Sequence, residues 1–170
     1  MIAFKNIEQV HTEAFWKIRL EALKMHPEAF GSSYEDSVHT PLAEVKKRIN
    51  NDKDNYILGA FTEDEQLAGM AGFRREQGIK LNHKGMIWGV YVSPEYRGQG
   101  VAKALIREIL DRGREIEGLQ QINLSVVTAN RPAAELYKKV GFVTYGVEKN
   151  ALIYNHQGYD EELMTYFFKR

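Results

Sequence analysis

The sequence predicts a mixed α/β (α+β-like) protein, a largely antiparallel sheet with helices on both faces. Three observations predict it. Apolar runs of strand length at 56–61, 67–74 and 86–92 follow one another across short polar turns, and turns that short join antiparallel neighbours. Longer stretches carry apolar residues at spacings of three and four, the period of a helix with one buried face. Finally, the order strands, helix, strand, helix, strands suits one sheet covered on both sides.

Each element has its own signal. Residues 2–7 alternate apolar and polar and form a first strand. Over 8–25, Phe15, Ile18, Ala22 and Met25 make one face of a helix. The stretch 27–40 is rich in Gly, Ser and Asp and reads as a loop. Pro41 opens a shorter helix reaching Asn50, with Leu42, Val45 and Ile49 inward. The three central strands follow, separated by polar turns at 62–66 and 77–84. A helix over 101–117 presents Ala102, Leu105, Ile106, Ile109 and Leu110, and 121–128 is a strand. Asn130 as N-cap and Pro132 in the first turn start another helix, with Ala133, Leu136, Tyr137 and Val140 inward and Gly141 as its stop. Strands at 142–146, extending toward Tyr154, and at 163–168 complete the chain. No repeat, low-complexity tract or linker divides it, and 170 residues suit one domain, 1–170.

Composition excludes several function classes. The chain is 44% hydrophobic and 27% charged, an ordinary globular balance. Its 23 Lys and Arg match its 23 Asp and Glu, and no basic run occurs, which argues against a nucleic-acid partner. There is no cysteine, hence no disulfide, thiolate metal site or cysteine nucleophile. His11, His26, His39, His83 and His156 lack metal-ligand spacing, so no metal is expected. No apolar stretch approaches the ~18 residues of a membrane span, and residues 1–7 lack a signal-peptide pattern. A cytoplasmic protein with no membrane partner is the expectation.

The segment 88–102 reads strand, turn, helix start: Trp88-Gly89-Val90-Tyr91-Val92, then Ser93-Pro94-Glu95-Tyr96, then Arg97-Gly98-Gln99-Gly100-Val101-Ala102. The first N–H groups of a helix have no intrahelical partner, and the helix dipole places partial positive charge there. Glycines let the backbone approach an anion, so such a turn suits a pyrophosphate; Arg97 adds a full charge. A bland glycine turn before a helix has the same pattern. Two other phosphate loops fit poorly. A P-loop needs Gly-Lys-Ser/Thr where Gly100-Val101-Ala102-Lys103 stands. A dinucleotide fingerprint wants an acid closing the next strand, which here ends Val126-Val127-Thr128-Ala129-Asn130.

These residues resemble the GCN5-related N-acetyltransferase (GNAT) family, whose signature is Arg/Gln, two residues, Gly, one residue, Gly/Ala. Arg97 through Ala102 match it. A second block, Asn130-Arg131-Pro132-Ala133-Ala134-Glu135-Leu136-Tyr137-Lys138-Lys139-Val140-Gly141-Phe142, also looks like the family. Weaker similarity covers the whole chain. The resemblance implies a six- to seven-stranded, mostly antiparallel sheet splayed centrally and flanked by about four helices. It implies acetyl-CoA as cosubstrate: backbone groups of Val90, Tyr91 and Val92 on the pantetheine arm, and Arg97 with the amides of Gly98, Gln99, Gly100, Val101, Ala102 and Lys103 at the pyrophosphate. Asn130 would contact the cofactor or orient its helix, and Tyr137 would be the general acid. A homodimer is compatible with the family.

The chemistry assigns tasks. A primary amine titrates near ~10 and must lose its proton before attacking a thioester. An amide of the splayed strand, that of Val92, would stabilise the resulting oxyanion. A phenol near ~10 can protonate a leaving thiolate of pKa ~8.5, which suits Tyr137, although a tyrosine on an apolar helical stripe is ordinarily core. Without cysteine, direct transfer in a ternary complex is favoured over an acyl-enzyme. The strand before the signature has no acid, so the base is Glu35, Asp36, His83 or a water relay. Tyr34, Trp88, Tyr91, Tyr154 and Tyr159 are candidates for an acceptor pocket or for core and rim. The expected acceptor is a small-molecule amine, an amino acid, polyamine or similar; a protein or peptide amine, and a non-catalytic acyl-CoA-binding module, are the alternatives.

Overall fold

A computed structural model describes residues 1–169. In chain order the elements are β1 (Ala3–Asn6), α1 (Thr12–Met25), α2 (Tyr34–Ser37), α3 (Leu42–Arg48), β2 (Asn51–Asp52), β3 (Asn55–Phe61), β4 (Leu67–Arg75), β5 (Lys84–Val92), α4 (Val101–Arg114), β6 (Gln121–Val127), α5 (Arg131–Val140), β7 (Val143–Tyr154) and β8 (Gln157–Phe167). One sheet of eight strands runs β1-β3-β4-β5-β6-β8-β7, with β2 on β3. Every pairing is antiparallel except β5 with β6.

The alternation along β3 divides the core. Ile57 and Phe61 face Phe15, Trp16, Ile18 and Ala22 of α1 and Val45 of α3. Tyr56, Leu58 and Ala60 face Leu105, Ile106 and Ile109 of α4. Helices thus cover both faces, as the period-2 strands and period-3.6 helices require.

Several expectations change at their edges. The two-residue β2 makes the strands eight rather than six or seven, and the loop after α1 contains a fifth helix, the single turn α2. Ser33 Oγ accepts from Asp36 N at 3.0 Å and caps that turn, a side-chain device that apolar periodicity does not register. Pro27–Ala29 forms a 3-10 turn in the same loop. Met25 and Leu42, expected inward, are 50% and 43% exposed. They sit at the last turn of α1 and the first of α3, where the apolar stripe outruns the packed surface. α4 stops at Arg114, and β8 starts earlier than the apolar run 163–168, at Gln157.

Two features open the sheet. Opposite Ala71 of β4, both Gly89 and Val90 of β5 stand between the pairs Gly72↔Trp88 and Met70↔Tyr91. Gly89 adopts φ +64, the left-handed conformation that lets a strand take in an extra residue. The bulge shifts the alternation by one. Trp88 and Tyr91 therefore both pack on the α1 side, while Val90 and Val92 pack toward α4. Second, β5 and β6 pair only over Lys84↔Gln121, Gly85↔Ile122 and Met86↔Asn123. Beyond Met86 each strand stays on its outer neighbour, and the two diverge.

Candidate active site

The divergence leaves a cleft of about 750 Å³ between 87–92 of β5 and 124–127 of β6, closed at one end by the start of α4 and on one side by α5. Its dimensions fall in the range of small-ligand sites.

Gly98 and Gly100 both adopt positive φ, +76 and +77, as the turn from strand to helix requires. Gly100 is the N-cap of α4 and supplies no side-chain cap; the first bond of the new helix runs from Ala104 N to Gly100 O at 3.0 Å. Among the described residues, no hydrogen bond is donated by the amides of Gly98 through Lys103. A Cβ added at Gly98 or Gly100 would meet nothing within 4 Å. The glycines therefore serve backbone conformation and leave room above a row of unpartnered donors. Such a row at a helix N-terminus fits a pyrophosphate.

Arg97 does more than add charge. Its Nε donates to Val92 O at 2.9 Å, its Nη2 lies 3.2 Å from His26 Nε2, and its guanidinium sits 5.5 Å from the Tyr91 ring centroid. It ties the loop to the end of β5 and the end of α1. The Val92 carbonyl is thereby engaged, which leaves that residue's N–H for a ligand. Ser93 N donates to Ala68 O on β4, so by alternation the Val92 peptide turns to the cleft side.

The Tyr91 side chain points away from the cleft wall, into the α1 side. Its hydroxyl donates to Glu21 Oε2 at 2.9 Å, and Ser93 Oγ donates to the same oxygen at 2.8 Å. Burial, reinforced by the Glu21 carboxylate, pushes the Tyr91 phenol up to about 12. Sequence reasoning missed Glu21 and Ser93. The available signal was the place of Glu21 on the apolar stripe of α1, three residues after Ile18 and four before Met25. A carboxylate there requires buried donors.

Tyr137 lines the cleft from α5, 7% exposed, with its ring edge-on to Phe142 at 6.0 Å. Burial drives its phenol well above the ordinary value, which keeps the proton on the oxygen. Asn130 also lines the cleft, and its Oδ1 accepts from Ala133 N at 3.3 Å as the N-cap of α5. Val90, Val101, Ala102 and Lys103 line the cleft as well; Gln99 is exposed beside it.

The base candidates do not converge. His83 precedes β5 at the closed end of the splay, where its carbonyl accepts from the amides of Gln120 and Gln121. Seven residues of strand at ~3.3 Å each place it roughly 23 Å from Val90. Glu35 Oε1 accepts from the Tyr154 hydroxyl at 3.0 Å, which joins α2 to the tip of β7. Asp36 is exposed and engaged through its backbone with Ser33. Among the described residues no three His, Cys, Asp or Glu side chains cluster as a metal site would need.

The sequence profile of the Acetyltransferase (GNAT) family matches residues 18–142. The chain is 29% identical over 126 residues to streptothricin acetyltransferase of Streptomyces lavendulae, a match spanning 74% of this chain and 59% of that one. It is 38% identical over 61 residues to the N-terminal acetyltransferase B complex catalytic subunit NAA20 of Arabidopsis thaliana, spanning 36% and 35%. In three dimensions it resembles yncA of Salmonella typhimurium, solved with its cofactor acetyl-CoA, at TM-score 0.80 and 16% identity over 100% of this chain and 95% of that one. The bulged β5, the splay beyond Met86 and the glycine turn into α4 are thus placed on a common fold, and the chain belongs to the GNAT family of acetyl-CoA-dependent acetyltransferases.

Proposed function

We propose that this chain moves the acetyl group of acetyl-CoA to the amine of a small molecule by direct attack in a ternary complex. The observation that carries this reading is a single cleft with free backbone donors at one end and a buried, protonated phenol along its side. Acetyl-CoA, when bound, supplies the acetyl group as a thioester. The amides of Gly98 through Lys103 hold the pyrophosphate, helped by the α4 dipole. Val90 and Val92 offer backbone groups along the arm, and Arg97 holds loop and strand in register. Tyr137 hands its proton to the departing sulfur. The acceptor's proton leaves through water or a carboxylate of the loop between α1 and α3.

The small-molecule reading rests on the cover over the α1 side. The turn Pro27–Ala29 packs on β6 and β7, and the Glu35–Tyr154 hydrogen bond ties the next turn down. A covered site suits a compact acceptor better than a polypeptide lying across the sheet. The names of relatives do not choose, since one is named for streptothricin and another for protein N-termini.

Thiol release from acetyl-CoA, followed across amino acids, polyamines and short peptides, tests the proposal. Turnover with small amines is expected. Turnover with peptides alone replaces the acceptor class, and acetyl-CoA binding without any turnover indicates a binding module.

A further inference from the structure

Arg19, on α1, is the one half-buried arginine among the described residues with neither an ion pair nor a hydrogen bond. Arg75 and Arg112, similarly buried, are both paired: Arg75 with Asp54, Asn82 O and Glu117 O, and Arg112 with Glu108 and Asn6. Glu21, on the same helix, is no counter-ion for Arg19, since its carboxylate accepts from Tyr91 and Ser93 instead. The Arg19 guanidinium lies 5.3 Å from the Phe30 ring centroid and 5.7 Å from that of Trp88. Its Nη1 is sealed and unpartnered, and a Cβ on Gly89 would come within 3.3 Å of it. Phe30, Trp88 and Gly89 all line the cleft. With Nη1 against the bulge, the free side-on edge of the guanidinium is Nε with Nη2, which are unpartnered but not sealed.

A fork of two N–H donors flanked by aromatic rings is the geometry that recognises a planar anion. Burial works against the Arg19 charge, and an unpaired buried charge is costly; a carboxylate would offset that cost. The location is the bulge of β5, in the cleft wall beside Val90, whose backbone is proposed to lie along the arm of the cosubstrate. We propose that Arg19 is a specificity-determining residue that binds the carboxylate of the amine acceptor, so that the acceptor class is amino acids and related amino-carboxylates. This rests on the acetyl-transfer reading above. The carboxylate is held side-on by Nε and Nη2 between Phe30 and Trp88, which leaves the amine free to reach the cleft.

The test compares the common L-amino acids with their carboxamides, and with spermidine, in wild type, Arg19→Met and Arg19→Lys, all with acetyl-CoA. Wild type is expected to prefer the free acid over its amide. Arg19→Met keeps an apolar stem between the rings; it is expected to raise KM for the acid about 10- to 100-fold while the amide changes less than about twofold. Arg19→Lys, which keeps charge but loses the fork, is expected to fall between them. Thermal shift with acetyl-CoA alone is expected to be equal in all three. A merely structural arginine would depress acid and amide alike, and that outcome overturns the inference. So does a wild type that accepts amides as well as acids, or that acetylates spermidine and no amino acid. If acetyl-CoA fails to shift wild type at all, the acetyl-transfer reading falls first and this one with it.

Discussion

At the scale of single residues, the site depends on what backbone and phenol can do without charge of their own. Gly100 holds φ +77, where a side chain costs about 1–2 kcal/mol, and its amide is one of the row of free donors. Gly100→Asp adds strain and a negative charge at the turn proposed to hold the pyrophosphate. Acetyl-CoA affinity is expected to fall on the order of 100-fold, measured by calorimetry; an affinity equal to the parent's removes the pyrophosphate from this loop. Tyr137 is different in kind. Its phenol keeps its proton because burial disfavours the phenolate. Tyr137→Phe preserves the ring contact with Phe142 and deletes only the donor. kcat is expected to drop by about 10²- to 10⁴-fold, with acetyl-CoA affinity within about twofold of wild type. Unchanged kcat means that water protonates the leaving sulfur instead.

At the scale of elements, the decisive feature is the bulge in β5. Gly89 at φ +64 places two residues opposite Ala71, and its missing side chain leaves space for Met70 Cε and Arg19 Nη1. Gly89→Ala adds strain and a contact at 3.2–3.3 Å, so a loss of about 1–2 kcal/mol in urea unfolding is expected. Weaker acetyl-CoA binding should accompany it, because the strand can relieve the strain only by moving the cleft wall. Stability equal to wild type would show that the bulge tolerates a side chain. Much of the architecture at this end was legible in the sequence, since a tight turn into a helix needs glycines at positive φ, as Gly98 and Gly100 show, and α5 announces itself by Asn130, Pro132 and Gly141. The proposed acceptor end was not. It is assembled by contacts between distant segments: Glu21 with Tyr91 and Ser93, Glu35 with Tyr154, Arg19 with Phe30 and Trp88. Periodicity reports which face of a helix is buried, not which strand lies beneath it, so nothing in the spacing of α1 distinguishes Arg19.

At the scale of the whole molecule, the two faces of the sheet share an alkaline weakness. Tyr91 lies in the core on the α1 side and Tyr56 in the core on the α4 side, and burial pushes both phenols up to about 12. In the unfolded chain each returns to about 10. The folded state therefore binds these protons more tightly than the unfolded state between pH 10 and 12, and stability must fall as pH rises through that window. Below pH 10 both tyrosines are protonated in either state, and the contribution is fully present. Each group contributes a slope of at most about 1.4 kcal/mol per pH unit. Urea unfolding followed from pH 8 to 11.5 is expected to be level at first and then to decline above about pH 10. Tyr91→Phe removes its own titration together with the hydrogen bond to Glu21, and leaves those of the other buried tyrosines in place. It is expected to be less stable than wild type at pH 8 and to lose less on going to pH 11.5, so the two curves converge. Parallel curves would mean that Tyr91 titrates normally in the folded protein, and that the Glu21 contact does not hold its proton in solution.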